Sequence, residues 1–266
     1  MIASTQVTAS STDRPAQAEA FGSEGLAGLA SHLDLEIPTG VAPLDVAALI
    51  RRARELGVRS VCVPAEVATA AHDALRGRVR VRTTCDQVLG WPGNSLLMHV
   101  GERLEGRLVD ELDIPVDASV LGDAAWLSPQ LRRVVARCHA HGAFAAVALC
   151  TAGLTTAELR TQVRGLARAG VNALALVVPE GGALPLELVA AAVDETAGRL
   201  AVRVVMPGVT FSQLQRMLDL GVQSVSVTPD EMDVLLAAAV AADEAAATAA
   251  SATAAPAAAT PRPKAA

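Results

Sequence analysis

Four stretches of the chain repeat one phrase: RARELGVRSVCV (52–63), RCHAHGAFAAVAL (137–149), LARAGVNALALVV (166–178) and MLDLGVQSVSV (217–227). Each runs from the end of a helical pattern through one glycine into a short apolar run. Gly57, Gly142, Gly170 and Gly221 stand where a helix closes on a residue in the left-handed conformation. Each phrase is therefore a helix-to-strand connection. Their spacing is that of a βαβ repeat, which predicts parallel strands joined by helical crossovers.

Outward from these anchors, the pattern predicts strands near 30–37, 58–63, 79–84, 111–116, 144–150, 172–178, 201–206 and 223–227. Helices are predicted near 43–56, 64–76, 95–107, 128–141, 155–169, 184–197, 210–220 and 229–245. Helix starts are marked by Ser128-Pro129, Thr155 with Glu158, and Thr210 before Ser212. Eight strands alternating with eight helices predict a single-domain α/β fold, a (β/α)8 TIM barrel. A doubly wound open sheet is the alternative, but no GxGxxG opens the first βα turn to support it.

Composition agrees with one barrel plus tails. The chain has 266 residues, and such barrels run to about 250. Hydrophobic residues make up 52% and aromatics 2%, with no Tyr, so the core must be built from Val, Leu and Ala. Residues 1–24 and the Ala/Thr/Pro-rich 243–266 are expected to be disordered, leaving 25–242 as the barrel. The Ala run that begins the second tail is suited to prolonging the last helix.

A net charge of −6 argues against a nucleic-acid partner, which needs a basic footprint. No apolar run is long enough to span a membrane. The first twenty residues lack a basic n-region and an apolar h-region, so no signal peptide is expected. Cys62, Cys85, Cys138 and Cys150 show no CxxC spacing and read as buried thiols of a cytoplasmic protein. Lys264 is the only lysine; every other basic residue apart from histidine is arginine.

Alternate strand residues of a barrel face the lumen and the others pack on the helices. With the more apolar set facing the helices, His32, Asp34 and Glu36 point inward on the first strand. The same rule points Glu111 and Asp113 inward on the fourth, and Ala148 and Cys150 on the fifth. It does so for Ala173, Ala175 and Val177 on the sixth, Arg203 on the seventh, and Ser224 and Ser226 on the eighth. Buried charge is costly unless paired, so Arg203 is expected to pair with Asp113, Asp34 or Glu36. Such a network either only fills the barrel or lines a ligand pocket at the mouth.

Several segments, in order over roughly residues 29–230, resemble the deoxyribose-phosphate aldolases. They are ARELGVRSVCVPAEV (53–67), Gly90-Trp91-Pro92, VDELDIPVD (109–117), LARAGVNALALVV (166–178) and AVRVVMPGVTFSQLQRMLDLGVQSV (201–225). The resemblance implies a class I aldolase that cleaves 2-deoxyribose-5-phosphate through a Schiff-base lysine on strand six. It also implies a second lysine on strand seven and an aspartate on strand four that helps with proton transfer. The aspartate falls on Asp113. The two lysine positions fall on Ala175 and Arg203.

A Schiff base needs a primary amine with an accessible neutral form. Arginine does not lose its proton at working pH, and no lysine precedes Lys264. The anion turns that the resemblance implies after strands seven and eight are altered too. Pro229 removes a donor, and Asp230 and Glu231 occupy the helix N-terminus an anion would use. The strand-seven turn, Met206 to Thr210, keeps one glycine, Gly208, and has gained Pro207. The family's asparagine after strand two is missing from Val63-Pro64-Ala65-Glu66, and Leu33 to Pro38 lacks the lysine of the family's opening motif.

These losses predict a barrel without Schiff-base activity, with a binding, scaffold or regulatory role. The alternative is an active aldehyde-lyase that uses Asp113 on deoxyribose-5-phosphate or a related small carbonyl compound by a divergent mechanism. A third reading, a metal-assisted enzyme on His32, Asp34 and Glu36, has no spacing signature. The expectation is no metal and no cofactor.

Pocket candidates are His32, Asp34, Glu36, Cys150, Ala175, Arg203 and Ser226. Cys85 and Cys150 are weighed as nucleophiles, but buried structural thiols are the simpler reading. His139 and His141 read as helix C-terminal cations, and His72 and His99 as helix residues. Trp91 and Trp126 read as packing residues. Expected partners are a small molecule at the barrel mouth, another protein or a second copy of the chain.

Overall fold

A computed structural model describes residues 25–86, 89, 95–116, 124–183 and 185–253 of the chain. The strands are β1 (Leu33–Glu36), β2 (Ser60–Cys62), β3 (Arg80–Thr84), β4 (Glu111–Val116), β5 (Phe144–Cys150), β6 (Ala173–Val177), β7 (Ala201–Val205) and β8 (Ser224–Val227). They pair in chain order, all parallel, and β8 closes on β1 through Leu35 opposite Val227. The fold is the (β/α)8 barrel that the repeated phrase predicts; the open sheet is excluded by the β8–β1 pairing.

The helices are α1 (Gly25–Ala30), α2 (Pro43–Leu56), α3 (Ala68–Leu75), α4 (Ser95–Leu104), α5 (Ala124–Ala140), α6 (Thr156–Ala169), α7 (Leu186–Thr196), α8 (Phe211–Asp219) and α9 (Pro229–Thr253). Their apolar stripes, such as Leu159, Val163 and Leu166 on α6, meet the outward residues of the strands. Leu33, Leu35, Val61, Val81, Leu112, Ile114, Val147, Leu174, Leu176, Val202, Val204 and Val225 all lie in this one cluster, and none is measurably exposed. Each such burial contributes roughly 1.5–3 kcal/mol. The layer between strands and helices thus supplies most of the hydrophobic stabilisation, and it leaves the lumen free to hold polar groups.

The helix-to-strand glycines behave as their position demands. Gly57 takes φ 70° and its N–H donates to Ala53 O at 3.0 Å. Gly170 takes φ 82°, where an added Cβ would stand 3.6 Å from Val135.

Four boundaries differ from the sequence reading. The predicted strand over 30–37 shortens to Leu33–Glu36, because Gly25–Ala30 forms α1, which packs on α9 and α2. The predicted helix over 64–76 splits into a 3-10 turn at Ala65–Val67 and α3. Helix α5 starts at Ala124, so Pro129 lies inside it rather than at its start. Proline there costs one backbone hydrogen bond, in the second turn of a helix of 17 residues. Helix α9 runs to Thr253, past the predicted end near 245, carried by the Ala run; alanine is the strongest helix former. Residues 1–24, the Gly90-Trp91-Pro92 segment, the Trp126 side chain and Lys264 lie outside what the structure describes. Among the described residues no helix is long and apolar enough to cross a membrane.

Candidate functional site in the barrel lumen

Register and alternation sort the inward side chains into layers, as in other eight-stranded barrels. Lowest are Ser60, Glu111, Ala173 and Ser224, from the even-numbered strands. Above them come Asp34, Arg82, Ala146 and Arg203 from the odd ones, then Cys62, Asp113, Ala175 and Ser226. Glu36, Thr84, Ala148 and Val205 lie nearest the C-terminal mouth.

The centre of the lumen is an ion network. Arg203 is 1% exposed, and its Nη1 donates to both oxygens of Asp113, at 3.0 and 3.1 Å. Its Nη2 donates to Glu111. Its Nε lies 3.1 Å from Asp34 Oδ2 but is not aligned for a hydrogen bond. Arg82, also fully buried, donates to Asp113 at 2.8 Å from Nη1 and to Glu36 from Nη2. Asp34 further accepts from the Ser60 and Ser224 hydroxyls and from Arg59 Nη1 at 3.2 Å. Arg82 reaches Asp113 from the neighbouring β3, whereas Arg203, three strands away on β7, reaches it only by crossing the interior. The small residues Ala146, Ala173 and Ala175 leave the room those side chains occupy.

Four carboxylates (Asp34, Glu36, Glu111, Asp113) face three guanidiniums (Arg59, Arg82, Arg203). The imbalance is reflected at Asp113, whose carboxyl is pushed up to about 8. Burial is the main cause; Arg82 opposes it, and repulsion from Glu111, Glu36 and Asp34 adds to it. Glu111 is raised by burial as well, against the pull of Arg82. Arg82 is lowered by burial but raised further by Asp113, Glu36 and Asp34, so it stays charged. The Cys62 thiol is raised well above its ordinary value by burial and by Glu36, which makes it a poor nucleophile.

Ala175 is 2% exposed and pairs in register with Ala148 on one side and Arg203 on the other. A methyl group and a guanidinium thus stand side by side on the lumen wall. Ser226, in the same layer as Ala175 and Asp113, is 3% exposed, and its Oγ has no hydrogen-bond partner among the described residues. Solvent reaches the layer above, where Glu36 and Ala148 are half-buried and Thr84 is exposed. A groove of about 300 Å³ opens there, lined by Glu36, Cys62, Thr84, Glu66, Asp86 and Arg103, with Arg103 paired to Asp86 and Glu66.

The two turns beside β7 and β8 are occupied from within. Glu231 Oε2 accepts from Thr228 N at 2.8 Å and from the Thr228 hydroxyl at 2.9 Å. Its Oε1 accepts from Gly208 N at 2.5 Å, across the gap between the turns. Backbone donors that point at an anion in a helix N-terminal site here point at a side-chain carboxylate.

The remaining sequence candidates fall elsewhere. His32 lies at the N-terminal end of β1, its Nδ1 3.0 Å from Gln223 O. It is at the opposite end of the barrel from Glu36, so the proposed His32, Asp34 and Glu36 trio does not converge. Two guanidiniums already hold Asp34, and another holds Glu36. Cys150 is exposed at the mouth rather than buried. Cys85 and Cys138 are buried, and Cys138 is pushed up to about 12 by burial and by Cys85. His139 Nε2 bonds Asn172 Oδ1 at 2.9 Å, near the N-terminal end of the barrel. His141 is exposed. His72 lies 3.8 Å from Asp110, and His99 is half-buried on α4.

Sequence reasoning passed over Arg82 and Cys62. The signal was present: buried Val79 and Val81 face the helices, which turns Arg80 and Arg82 inward.

No family model matches the chain, and no curated protein matches it. Solved structures do. The chain is 18% identical to QR15, an aldolase, over 78% of this chain and 94% of that one, with a TM-score of 0.65. It is 16% identical to the deoxyribose phosphate aldolase of Aeropyrum pernix, described as tetrameric, over 79% and 90%, with a TM-score of 0.65. The carboxyl transferase domain of Rhizobium etli pyruvate carboxylase follows at 13% identity over 75% and 40%, with a TM-score of 0.59. At these identities the likeness is one of fold: this chain shares the (β/α)8 barrel of the deoxyribose-phosphate aldolases and related aldolases.

Proposed function

We propose that this barrel has left Schiff-base chemistry and serves a binding, scaffold or regulatory role, with a small polar ligand, another protein or a second copy as its partner. The observation that carries the reading is the pairing of Ala175 with Arg203 on the lumen wall. Neither side chain offers an amine that can lose its proton and attack a carbonyl. Two further features support it. The guanidinium network fills the space a substrate carbonyl would enter, and Glu231 already occupies the amides of the β7 and β8 turns. A cytoplasmic location belongs to the same reading, in keeping with cysteines that form no disulfide among the described residues.

The test is borohydride reduction in the presence of 2-deoxyribose-5-phosphate, read by intact and peptide mass. The expected result is no covalent adduct and no acetaldehyde release. A reduced adduct on any residue of the barrel overturns the proposal.

A second reading has one observation in its favour. Asp113 holds its proton to about pH 8, so it suits proton transfer near neutrality. An aldehyde-lyase acting through Asp113, without a covalent intermediate, would release aldehyde from a small carbonyl substrate. Asp113→Asn would abolish that release while leaving the chain folded. Turnover that survives the substitution removes this reading.

A further inference from the structure

The groove between α4 and α5 and the free end of α9 are complementary, and we propose that they form an interface between two copies of this chain. The inference deepens the second-copy partner named above and does not depend on whether the lumen is catalytic.

The groove measures about 580 Å³ and is lined by Leu97, Met98, Ala136 and Ala140, with Arg133 and Arg137 along one side. Met98 is 62% exposed, a high value for a large apolar side chain. An exposed apolar strip flanked by charge marks a contact surface. Ala136 and Ala140 lie one helical turn apart on α5, so the floor is shallow enough for another helix to approach closely.

The complementary element is the far end of α9. Its last buried residue is Ala239, and Val240 through Thr248 are exposed. From Ala239 to Thr248 the helix runs about 14 Å past its last buried residue, at 1.5 Å per residue. It is composed mainly of alanine, so its surface is narrow and weakly apolar. Val240, Asp243 and Glu244 share one face by helical spacing, and α9 carries no basic residue. An alanine-rich helix with two carboxylates fits a shallow groove edged by two guanidiniums.

Within one chain the two cannot meet. Helix α9 follows β8 and packs on α1, α8 and β1, whereas α5 follows β4, half the barrel away. The contact must form between copies.

Sedimentation velocity on the full chain over a concentration series tests this. The expected result is concentration-dependent association that salt weakens. Reversing the groove (Arg133→Glu with Arg137→Glu) or the helix end (Asp243→Arg with Glu244→Arg) should each raise the dissociation constant on the order of tenfold or more. Mixing the two reversed proteins should restore association, because every contact in the mixed assembly again joins opposite charges. Restoration also shows that both variants are folded. Ending the chain after Val240, which keeps the packed part of α9, should yield a monomer. A wild-type chain that stays monomeric overturns the proposal. So does association that survives the truncation, or reversed variants that do not recover on mixing. None of these outcomes bears on the borohydride test, so the two proposals stand or fall separately.

Discussion

Arg203 starts on β7 and meets carboxylates on β1 and β4, which a single ammonium on a flexible stem could not do with the same fork of donors. Asp34 and Glu111 are both nearly inaccessible, at 0% and 2%. Removing the guanidinium leaves buried negative charge without its partner. Arg203→Met is therefore expected to destabilise the fold by about 3–5 kcal/mol, and Arg203→Lys to recover only part of that. Denaturant midpoints at unchanged slope give the measurement, and a loss under about 1 kcal/mol would show that the network contributes little. Arg203 was legible in the sequence because Val202 and Val204 flank it and must face the helices. Arg82 obeys the same parity, yet Arg80 beside it stays exposed, 5.4 Å from the Phe144 ring. Alternation tells which face a side chain takes. It does not tell how far up the strand the closed barrel begins to exclude water.

Helix termini explain both the accuracy and the errors of the sequence reading at the scale of elements. Where a glycine closes one helix and a Thr-x-x-Glu or Thr-x-x-Gln box opens the next, the boundaries were set locally. Thr155 with Glu158 and Thr210 with Gln213 form such boxes, and α2 starts and ends where its pattern predicts. At α5 the Ser128-Pro129 pair marked a start that the helix had already passed at Ala124, and after α9, where no marker stands, the Ala run carries the helix past its expected end. The Glu231 contacts combine a box of the same kind with a bridge to the β7 turn, and only the bridge needed the three-dimensional structure to be seen. Glu231→Ala is expected to cost about 1 kcal/mol, typical of a lost helix cap, with Glu231→Gln falling between it and the wild type. Urea unfolding of the three proteins checks the order. Equal losses for Ala and Gln would mean that the charge, rather than the hydrogen bonds to Gly208 and Thr228, carries the effect.

Across the whole molecule the lumen and the shell around it divide the work of holding the barrel together. The shell is apolar and indifferent to pH, so the pH dependence of stability in the neutral range should report the lumen. Asp113 binds its proton more tightly when folded: its carboxyl sits at about 8, against about 4 for an ordinary aspartate. Between those values the folded chain holds a proton that the unfolded chain has released, so each rise in pH costs stability. The loss is progressive through that interval and complete above it. Glu111, raised by the same burial, acts in the same direction. The melting temperature is thus expected to fall as pH rises from about 5 to about 9, the reverse of a protein whose buried carboxylates are held ionised. Asp113→Asn keeps the shape of the side chain and removes its titration. It should flatten most of the slope, leaving the share that belongs to Glu111. Thermal melts of both proteins across that range decide the matter. A wild-type melting temperature that climbs with pH, or an Asn variant with the wild-type slope, would place the excess proton elsewhere and remove the basis for proton transfer by Asp113.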